Sequence, residues 1–201
     1  MRCLYRHYIS HITHDEWLPL PSRPETKIIV YICTMETNFE KYIALRNDID
    51  RLSARLFTLH KKHVQCKKGC DLCCMDYSIF PVEFHYIKNK LASEGMPSVS
   101  KPEDENTCIF LKNHECTIYE HRPVICRTHG LPFLYVNSET EEWELSACEL
   151  NFTDFNDFDA KNTFPQDKFN SRLFLLNEEF IKSPVMQQYG KFDLVPIREL
   201  I

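Results

Sequence analysis

The most regular hydrophobic pattern in this chain lies between Met35 and the first dense group of cysteines. Apolar side chains recur there three or four residues apart, at Phe39, Tyr42, Leu45, Ile49, Leu52, Leu56 and Leu59. That spacing places them on one face of an α-helix, and the stretch from Thr37 to Glu40 matches a capping box. The pattern therefore predicts a helix over about 37–64.

Two further helices are predicted, one from residues typical of helix ends and one from the spacing of apolar residues. Pro81 suits the first turn of a helix and Gly95 suits the position just past its last turn, so a second helix is expected between them. A closing helix is expected near 166–182. Its apolar residues are Phe169, Leu173, Leu176 and Phe180. The tail through Ile201 is predicted to be extended.

Short strands are predicted between the second helix and the last one. Residues 108–111 and 116–119 resemble a small hairpin, and 131–136 with 143–145 resemble a second one. A polar, proline-containing loop over 96–106 precedes them. The expected fold is a small single α+β domain with a long N-terminal helix, a cysteine-rich, metal-bound centre with short hairpins, and a C-terminal helix.

The first 34 residues show no sustained helical or strand period. We interpret residues 1–34 as upstream sequence or a disordered arm, and 35–201 as the domain. On this hypothesis Met35 is the true start, and an intact-mass measurement on native protein would test it. Four potential metal ligands in the arm are spaced so that a helix would place them on one face. We interpret this spacing as accidental. The four residues are Cys3, His7, His11 and His14.

Composition narrows the possible partners and the compartment. With 201 residues, 43% of them hydrophobic, the chain can build a core, and its net charge of −5 gives no attraction to nucleic acid. It has only four glycines and no glycine-rich phosphate loop. No apolar run is long enough for a signal peptide or a membrane span. We therefore expect a cytoplasmic protein, without membrane or nucleic-acid partners, whose thiols are reduced unless they bind metal.

Cysteine spacing carries the chemistry of this sequence. Eight of the ten cysteines form one run: Cys66, Cys70, Cys73, Cys74, Cys108, Cys116, Cys126 and Cys148. The first four read C-x-x-x-C-x-x-C-C. Thiolates are soft ligands that suit zinc, copper(I) or iron–sulfur clusters. The run therefore predicts metal binding, whereas Cys33 lies outside it and is taken as a non-ligand.

The spacing leaves the arrangement of the metal open. If residues 66–74 are helical, their four thiols share one side of the helix. Cys73 and Cys74 would still diverge by about 100°, so one could bind metal while the other bridges, serves a second ion or packs. Eight thiolates could fill two tetrahedral zinc sites. They could equally hold an iron–sulfur cluster with a zinc ion, or a cluster with spare thiols.

Basic residues and one histidine surround these thiols. Arg122 and Arg127 flank Cys126, and lysines flank the first four cysteines, so nearby positive charge is expected to favour thiolates. The lysines are Lys61, Lys62, Lys67 and Lys68. His129 follows closely and is either a ligand, a hydrogen-bond partner of a ligand, or an ordinary core or surface histidine.

These residues resemble the YkgJ-type cysteine-cluster family, whose domain is described as zinc- or iron-chelating. The matching segments lie within roughly 66–150 and include Cys66-Lys-Lys-Gly-Cys70-Asp-Leu-Cys73-Cys74 and Ile118-Tyr-Glu-His-Arg122-Pro123-Val-Ile-Cys126-Arg127. The resemblance implies that all eight cysteines of the run, Cys148 included, form the metal set. It also implies that Arg122, Pro123 and Arg127 are family residues. Some relatives are described as iron–sulfur oxidoreductases, and larger ones as protein-lysine methylases.

Three classes of function remain open at this point. The first is a cytoplasmic metal-binding protein, with zinc or iron, whose thiolate sites are structural or handle metal, acting with an unidentified protein partner. The second is an iron–sulfur oxidoreductase, and the third is a lysine methylase-like enzyme. The spacing of Cys66, Cys70 and Cys73 also occurs in radical S-adenosylmethionine enzymes, but the strand–helix alternation of those enzymes is missing here. No catalytic residue is assigned, since no nucleophile–base or H-E-x-x-H pattern is present.

Overall fold

Helix α1 runs over Pro24–Leu59 in the computed structural model, which describes residues 24–99, 101 and 104–201, and side chains from residue 35 onward. It begins before the predicted residue 37 and ends before the predicted residue 64. The predicted capping box at Thr37 is wrong, because the helix continues through this residue and its own backbone bonds use the N–H groups that a cap would satisfy.

Most of the proposed arm, residues 1–34, lies outside the part of the chain that the structure describes. This is true of residues 1–23, including Cys3 and the three histidines, and of the side chains of 24–34. The division into an arm and a domain from Met35 therefore stays a prediction.

The hydrophobic core forms where α1 packs against two later helices. Helix α2 spans Pro81–Glu94 and is followed by Gly95, as predicted. Helix α4 spans Gln166–Ile181, close to the predicted range. Its four predicted apolar residues are all buried: Phe169, Leu173, Leu176 and Phe180. The helical periodicity therefore identified the core faces of these elements correctly.

Short strands and turns cover one side of this helical core. Strands β2 (Leu111–Lys112) and β3 (Glu115–Cys116) form the first predicted hairpin, shortened to two residues a side. Strands β4 (Phe133–Val136) and β5 (Trp143–Ser146) form the second, in an antiparallel register that pairs Phe133 with Ser146. A five-residue helix, α3 (Val124–Thr128), lies between the hairpins.

Three two-residue strands complete the sheets. Strand β6 (Phe164–Pro165) pairs in parallel with β4, and β1 (Ser78–Ile79) pairs antiparallel with β7 (Val195–Pro196). The tail is only partly extended as predicted, because 3₁₀ turns at Pro184–Met186 and Ile197–Leu200 flank β7. Helices and mainly antiparallel strands in one small domain make this an α+β fold, as predicted.

No helix in the described residues is long and apolar enough to cross a membrane.

One buried carboxyl group joins three helices beneath the cysteine-rich side. Glu83 in α2 is only 3% exposed. Its Oε1 accepts hydrogen bonds from the Tyr42 hydroxyl in α1 and from the backbone N–H of Val124 in α3, both at 2.9 Å. Burial raises the pKa of Glu83 above its usual value, although both hydrogen bonds and the charges of Arg127 and Arg46 act in the opposite direction. The position of α3 therefore depends on a carboxyl group that the fold favours in its neutral form.

Replacing Glu83 by glutamine should remove this pH dependence without removing the acceptor oxygen. The pKa of Glu83 is raised in the folded state, so ionisation favours unfolding once the pH exceeds the unfolded-state value of about 4.3. We expect the unfolding free energy of the wild type to fall, relative to that of Glu83→Gln, over the pH range above about 4.3. Urea denaturation across this range measures the difference.

Glu83→Ala provides the contrast, because it leaves the Tyr42 hydroxyl and the Val124 N–H without their acceptor. This variant should lose about 2–4 kcal/mol of stability at every pH. If the unfolding free energies of the wild type and Glu83→Gln changed in parallel with pH, the raised pKa of Glu83 in the folded state would be contradicted.

Candidate metal centre

The four-cysteine segment consists of two consecutive turns. The N–H of Cys70 donates to the carbonyl of Lys67 at 3.0 Å, and the N–H of Cys74 donates to the carbonyl of Asp71 at 2.8 Å. The helical arrangement of residues 66–74 is therefore wrong. Gly69 explains the difference, because its φ of +90° cannot continue a right-handed helix.

This segment has almost no hydrophobic support of its own. No apolar residue from 61 through 77 is buried, and Ile79 in β1 (Ser78–Ile79) is the first to enter the core. The side chain of Asp76, which pairs with Arg198, is the buried polar exception. The segment also lies between the end of α1 and the start of β1, outside every named helix and strand. Turns and contacts with other loops therefore hold it in place.

Backbone pairing brings the end of this segment against Cys108. The N–H of Cys108 donates to the carbonyl of Cys74 at 3.1 Å, and Met75 and Thr107 form an antiparallel bridge. The N–H of Leu111 then donates to the carbonyl of Cys108 at 3.0 Å. These bonds fix Cys74 and Cys108 on neighbouring strands of backbone.

The next two cysteines reach the same region from the hairpin and from α3. Cys116 pairs with Leu111 across the β2–β3 hairpin. Cys126 lies in α3, and burial raises the pKa of its thiol, with the charges of Cys108 and Cys116 raising it further. Cys126 is therefore a neighbour of both hairpin-side cysteines.

Asn151 connects the first cysteine of the run with the last. Its Nδ2 donates to the Sγ of Cys66 at 3.4 Å and to the carbonyl of Gly130 at 2.8 Å, while its Oδ1 accepts from the N–H of Gln65 at 2.7 Å. Its own N–H donates to the carbonyl of Cys148 at 2.8 Å. The Asn151 side chain is 4% exposed, so these bonds hold Cys66 and Cys148 in one buried polar network.

All eight cysteines of the run are free thiols. Cys66, Cys74 and Cys126 each have other cysteines of the run as charged neighbours. Among the described residues, no three His, Cys, Asp or Glu side chains are arranged as a metal site. A dense set of soft, unpaired sulfur donors fits zinc and iron.

The adjacent thiols of Cys73 and Cys74 have pKa values shifted in opposite directions. A hydrogen bond from the Cys74 thiol lowers the pKa of Cys73, and the same bond raises the pKa of Cys74. The charge of Arg122 also lowers the pKa of Cys73. Cys73 is therefore the better thiolate of the two.

The expected positive charge comes mainly from one of the two arginines. Burial raises the pKa values of Cys116 and Cys126, and the charge of Arg122 opposes this rise. The Arg122 guanidinium lies over the Tyr119 ring at 3.9 Å. Arg127 instead donates two hydrogen bonds to the carboxylate of Asp50, at 2.9 and 3.0 Å, and fixes α3 to α1. The family arginines thus have different roles, one electrostatic and one structural.

The lysines contribute less positive charge near the thiols than the sequence suggested, and the two histidines near the cysteines differ in their surroundings. Lys68 forms an ion pair with Glu115, and no lysine is among the causes that lower a thiol pKa in the described residues. His60 is a buried residue whose Nε2 contacts the carbonyl of Asn162 at 2.6 Å, which makes it a core histidine. His129 lies closer to the cysteines, with a buried Nε2 that has no hydrogen-bond partner.

Comparison with known proteins identifies the segment that contains these cysteines. Residues 65–149 match the family model CxxCxxCC, described as "Putative zinc- or iron-chelating domain". This segment is therefore similar to the CxxCxxCC domain, which confirms the cysteine-cluster resemblance and supports metal binding with zinc or iron. No curated protein and no solved structure matches the chain.

Sequence reasoning missed Gly130 and Asn151. An added Cβ on Gly130 would lie 2.4 Å from the Sγ of Cys66, so only glycine leaves room for this thiol. The glycine follows His129 in the arginine-containing segment, and Asn151 lies two residues beyond the matched range. Their roles depend on chain reversals that bring residues 65–66, 130 and 151 together, and no local spacing indicates this.

Gly130→Ala should therefore displace Cys66 and reduce the metal content of the purified protein. Gly95→Ala is the matched control, because both glycines have positive φ values, +88° and +99°, but nothing lies within 4 Å of an added Cβ at Gly95. Both variants should lose about 1 kcal/mol of stability through backbone strain. Elemental analysis of the two purified proteins separates the effects, and equal metal content would contradict the role of Gly130.

Proposed function

We propose that the eight cysteines bind zinc or iron and that the bound metal holds the cysteine-rich loops in their folded arrangement. The observation that carries this proposal is the segment from 61 through 77, which buries no apolar residue and lies outside every named helix and strand. Such a segment gains little hydrophobic stabilisation, so its order must come from other links. Thiolate–metal bonds supply such links in small structural sites.

The chain's own residues prepare these thiols for binding. Arg122 stabilises thiolate charge, Asn151 donates a hydrogen bond to the Cys66 sulfur, and Gly130 leaves space beside it. When bound, the metal would supply strong links between thiolates from distant parts of the chain. Coordination by four thiolates leaves no open position for catalysis at the metal, so the proposal is a structural or metal-handling role.

Two broader features belong to the same proposal. Free thiols at all eight positions are typical of a reducing compartment, so we place the role in the cytoplasm. The protein would act with an unidentified protein partner. Trp143 and Phe192 are large apolar side chains that remain 67% and 69% exposed, and such residues are frequent at protein interfaces.

An iron–sulfur cluster is the second candidate, and two polar atoms favour it. The Nε of Arg122 and the Nε2 of His129 are buried without a hydrogen-bond partner. Sulfur atoms of a cluster accept hydrogen bonds from such groups, which tune its reduction potential. This candidate corresponds to an oxidoreductase. A lysine methylase-like activity has no comparable support in the described residues.

Metal removal tests the proposal directly. The full chain is purified anaerobically, its zinc, iron and acid-labile sulfide are measured, and hydrogen exchange is followed before and after chelation. We expect bound metal, and we expect chelation to increase exchange in 61–77 strongly while α1, α2 and α4 remain protected. A colourless zinc protein supports the structural role, and a brown protein with sulfide supports the cluster.

Hydrogen exchange also provides the contradicting outcome. Unchanged exchange over 61–77 after complete metal removal would show that the metal does not order these loops. Absence of metal from anaerobically purified protein that also fails to take up added Zn²⁺ would contradict metal binding altogether.

A further inference from the structure

The eight cysteines divide into two groups, and the division falls between the adjacent residues Cys73 and Cys74. The first thiol set is Cys66, Cys70, Cys73 and Cys148. The second thiol set is Cys74, Cys108, Cys116 and Cys126. We propose that each set binds its own metal ion, giving two tetrathiolate sites that differ in accessibility. This inference rests on the proposed function and assigns the residues within it.

The second thiol set is assembled by backbone hydrogen bonds around the β2–β3 hairpin. Cys74 and Cys108 are joined by an N–H···O bond of 3.1 Å, and Leu111 links Cys108 to Cys116 through its N–H and its strand pairing. Cys126 joins them from α3, where the charges of Cys108 and Cys116 act on its thiol. Three separate stretches of chain thus converge on one group of four sulfur atoms.

The first thiol set is assembled around Asn151. This side chain bonds the Sγ of Cys66, and its backbone N–H bonds the carbonyl of Cys148. Burial raises the pKa of the Cys66 thiol, and neighbouring thiolate charges raise it further. Those charges belong to Cys148, Cys70 and Cys73. The neighbours of Cys66 are therefore the other members of this set.

Cys73 and Cys74 belong to different sets although they are adjacent in sequence. The charge of Cys73 acts on Cys66. The thiol of Cys74 is hydrogen-bonded to Cys73 and is influenced by its charge. Its other charged neighbours are Cys116 and Cys108, and the backbone N–H of Cys108 also donates to the Cys74 carbonyl. The turn that ends at Cys74 therefore separates the two sets, and the family's terminal Cys–Cys pair supplies one ligand to each site.

Arg122 lies within electrostatic reach of both sets. Its charge helps to lower the pKa of Cys73 in the first set, and in the second set it opposes the rise that burial causes in the pKa values of Cys116 and Cys126. A divalent ion with four thiolates carries a net charge of about −2, so two such sites next to each other repel. One guanidinium shared between them reduces this repulsion.

The two sites differ in contact with solvent. In the second set Cys108 is buried, and Cys74 and Cys116 pack against the hydrophobic core. In the first set Cys66 is exposed, none of the four cysteines is buried, and the segment that carries three of them has no buried apolar residue. The second site should therefore hold its ion firmly, whereas the first should exchange metal with chelators and with other metal-binding molecules.

Metal stoichiometry of cysteine variants tests the assignment. The full chain is loaded with Zn²⁺ anaerobically and the ions per chain are counted by native mass spectrometry. We expect two ions for the wild type, one for Cys70→Ser, and still one for Cys70→Ser combined with Cys148→Ser, because both changes remove the same site. Cys70→Ser combined with Cys116→Ser should bind none. Cys33→Ser, a cysteine outside the run, is the control and should bind two.

The rate at which zinc is released gives a second measurement. It needs no variant of the second thiol set, so it does not depend on whether such a variant folds. A chromogenic zinc chelator should remove one ion from the wild type at least on the order of tenfold faster than the other. Cys70→Ser should lose the fast phase and keep the slow one, while Cys33→Ser should keep both.

The outcomes separate this inference from the proposed function. A wild type that binds no Zn²⁺ contradicts metal binding itself. A wild type that binds zinc, but loses more metal in the Cys70→Ser and Cys148→Ser double variant than in either single variant, contradicts the assignment of both residues to one site. Release of both ions in one phase contradicts the difference in accessibility.

Discussion

The structure depends on holding together loops that have no hydrophobic core of their own. Helices α1, α2 and α4 bury their apolar faces against one another, but the segment from 61 through 77 has no buried apolar residue. Hydrophobic burial is the main stabilising contribution in most domains, so a segment without it is ordered only by specific links. In this chain the links available are backbone pairings, the Asn151 network and a concentration of thiols.

The helical core positions these thiols through polar contacts as well as packing. Glu83 connects α1, α2 and the start of α3, and the ion pair between Arg127 and Asp50 holds α3 against α1. Because α3 carries Cys126, these buried contacts fix the side of the cysteine group that faces the core. The cysteines on the inner side are buried or pack against the core, whereas Cys66 on the outer side is exposed, and the two sites that we propose rest on this difference.

Electrostatics favours metal over empty thiolates at this location. Most of the thiols have pKa values raised by burial and by one another's charges, so they hold their protons when no cation is present. A divalent ion replaces those protons and removes the mutual repulsion. Arg122 provides only part of this compensation. The same clustering that makes empty thiolates unfavourable lets one divalent cation neutralise several of them, although that cation must displace their protons.

The sequence by itself determined the helical faces, the second hairpin and the chemistry of the site. Periodicity identified the buried residues of α4, and cysteine spacing predicted a metal centre because soft thiolates at this density have few other uses. Only the tertiary structure decided how the thiols are grouped. Gly69 turns the segment that spacing suggested was helical, and residues near 108, 130 and 151 complete the surroundings of Cys66 and Cys74. Such contacts join residues tens of positions apart, so they follow from packing and not from any local pattern.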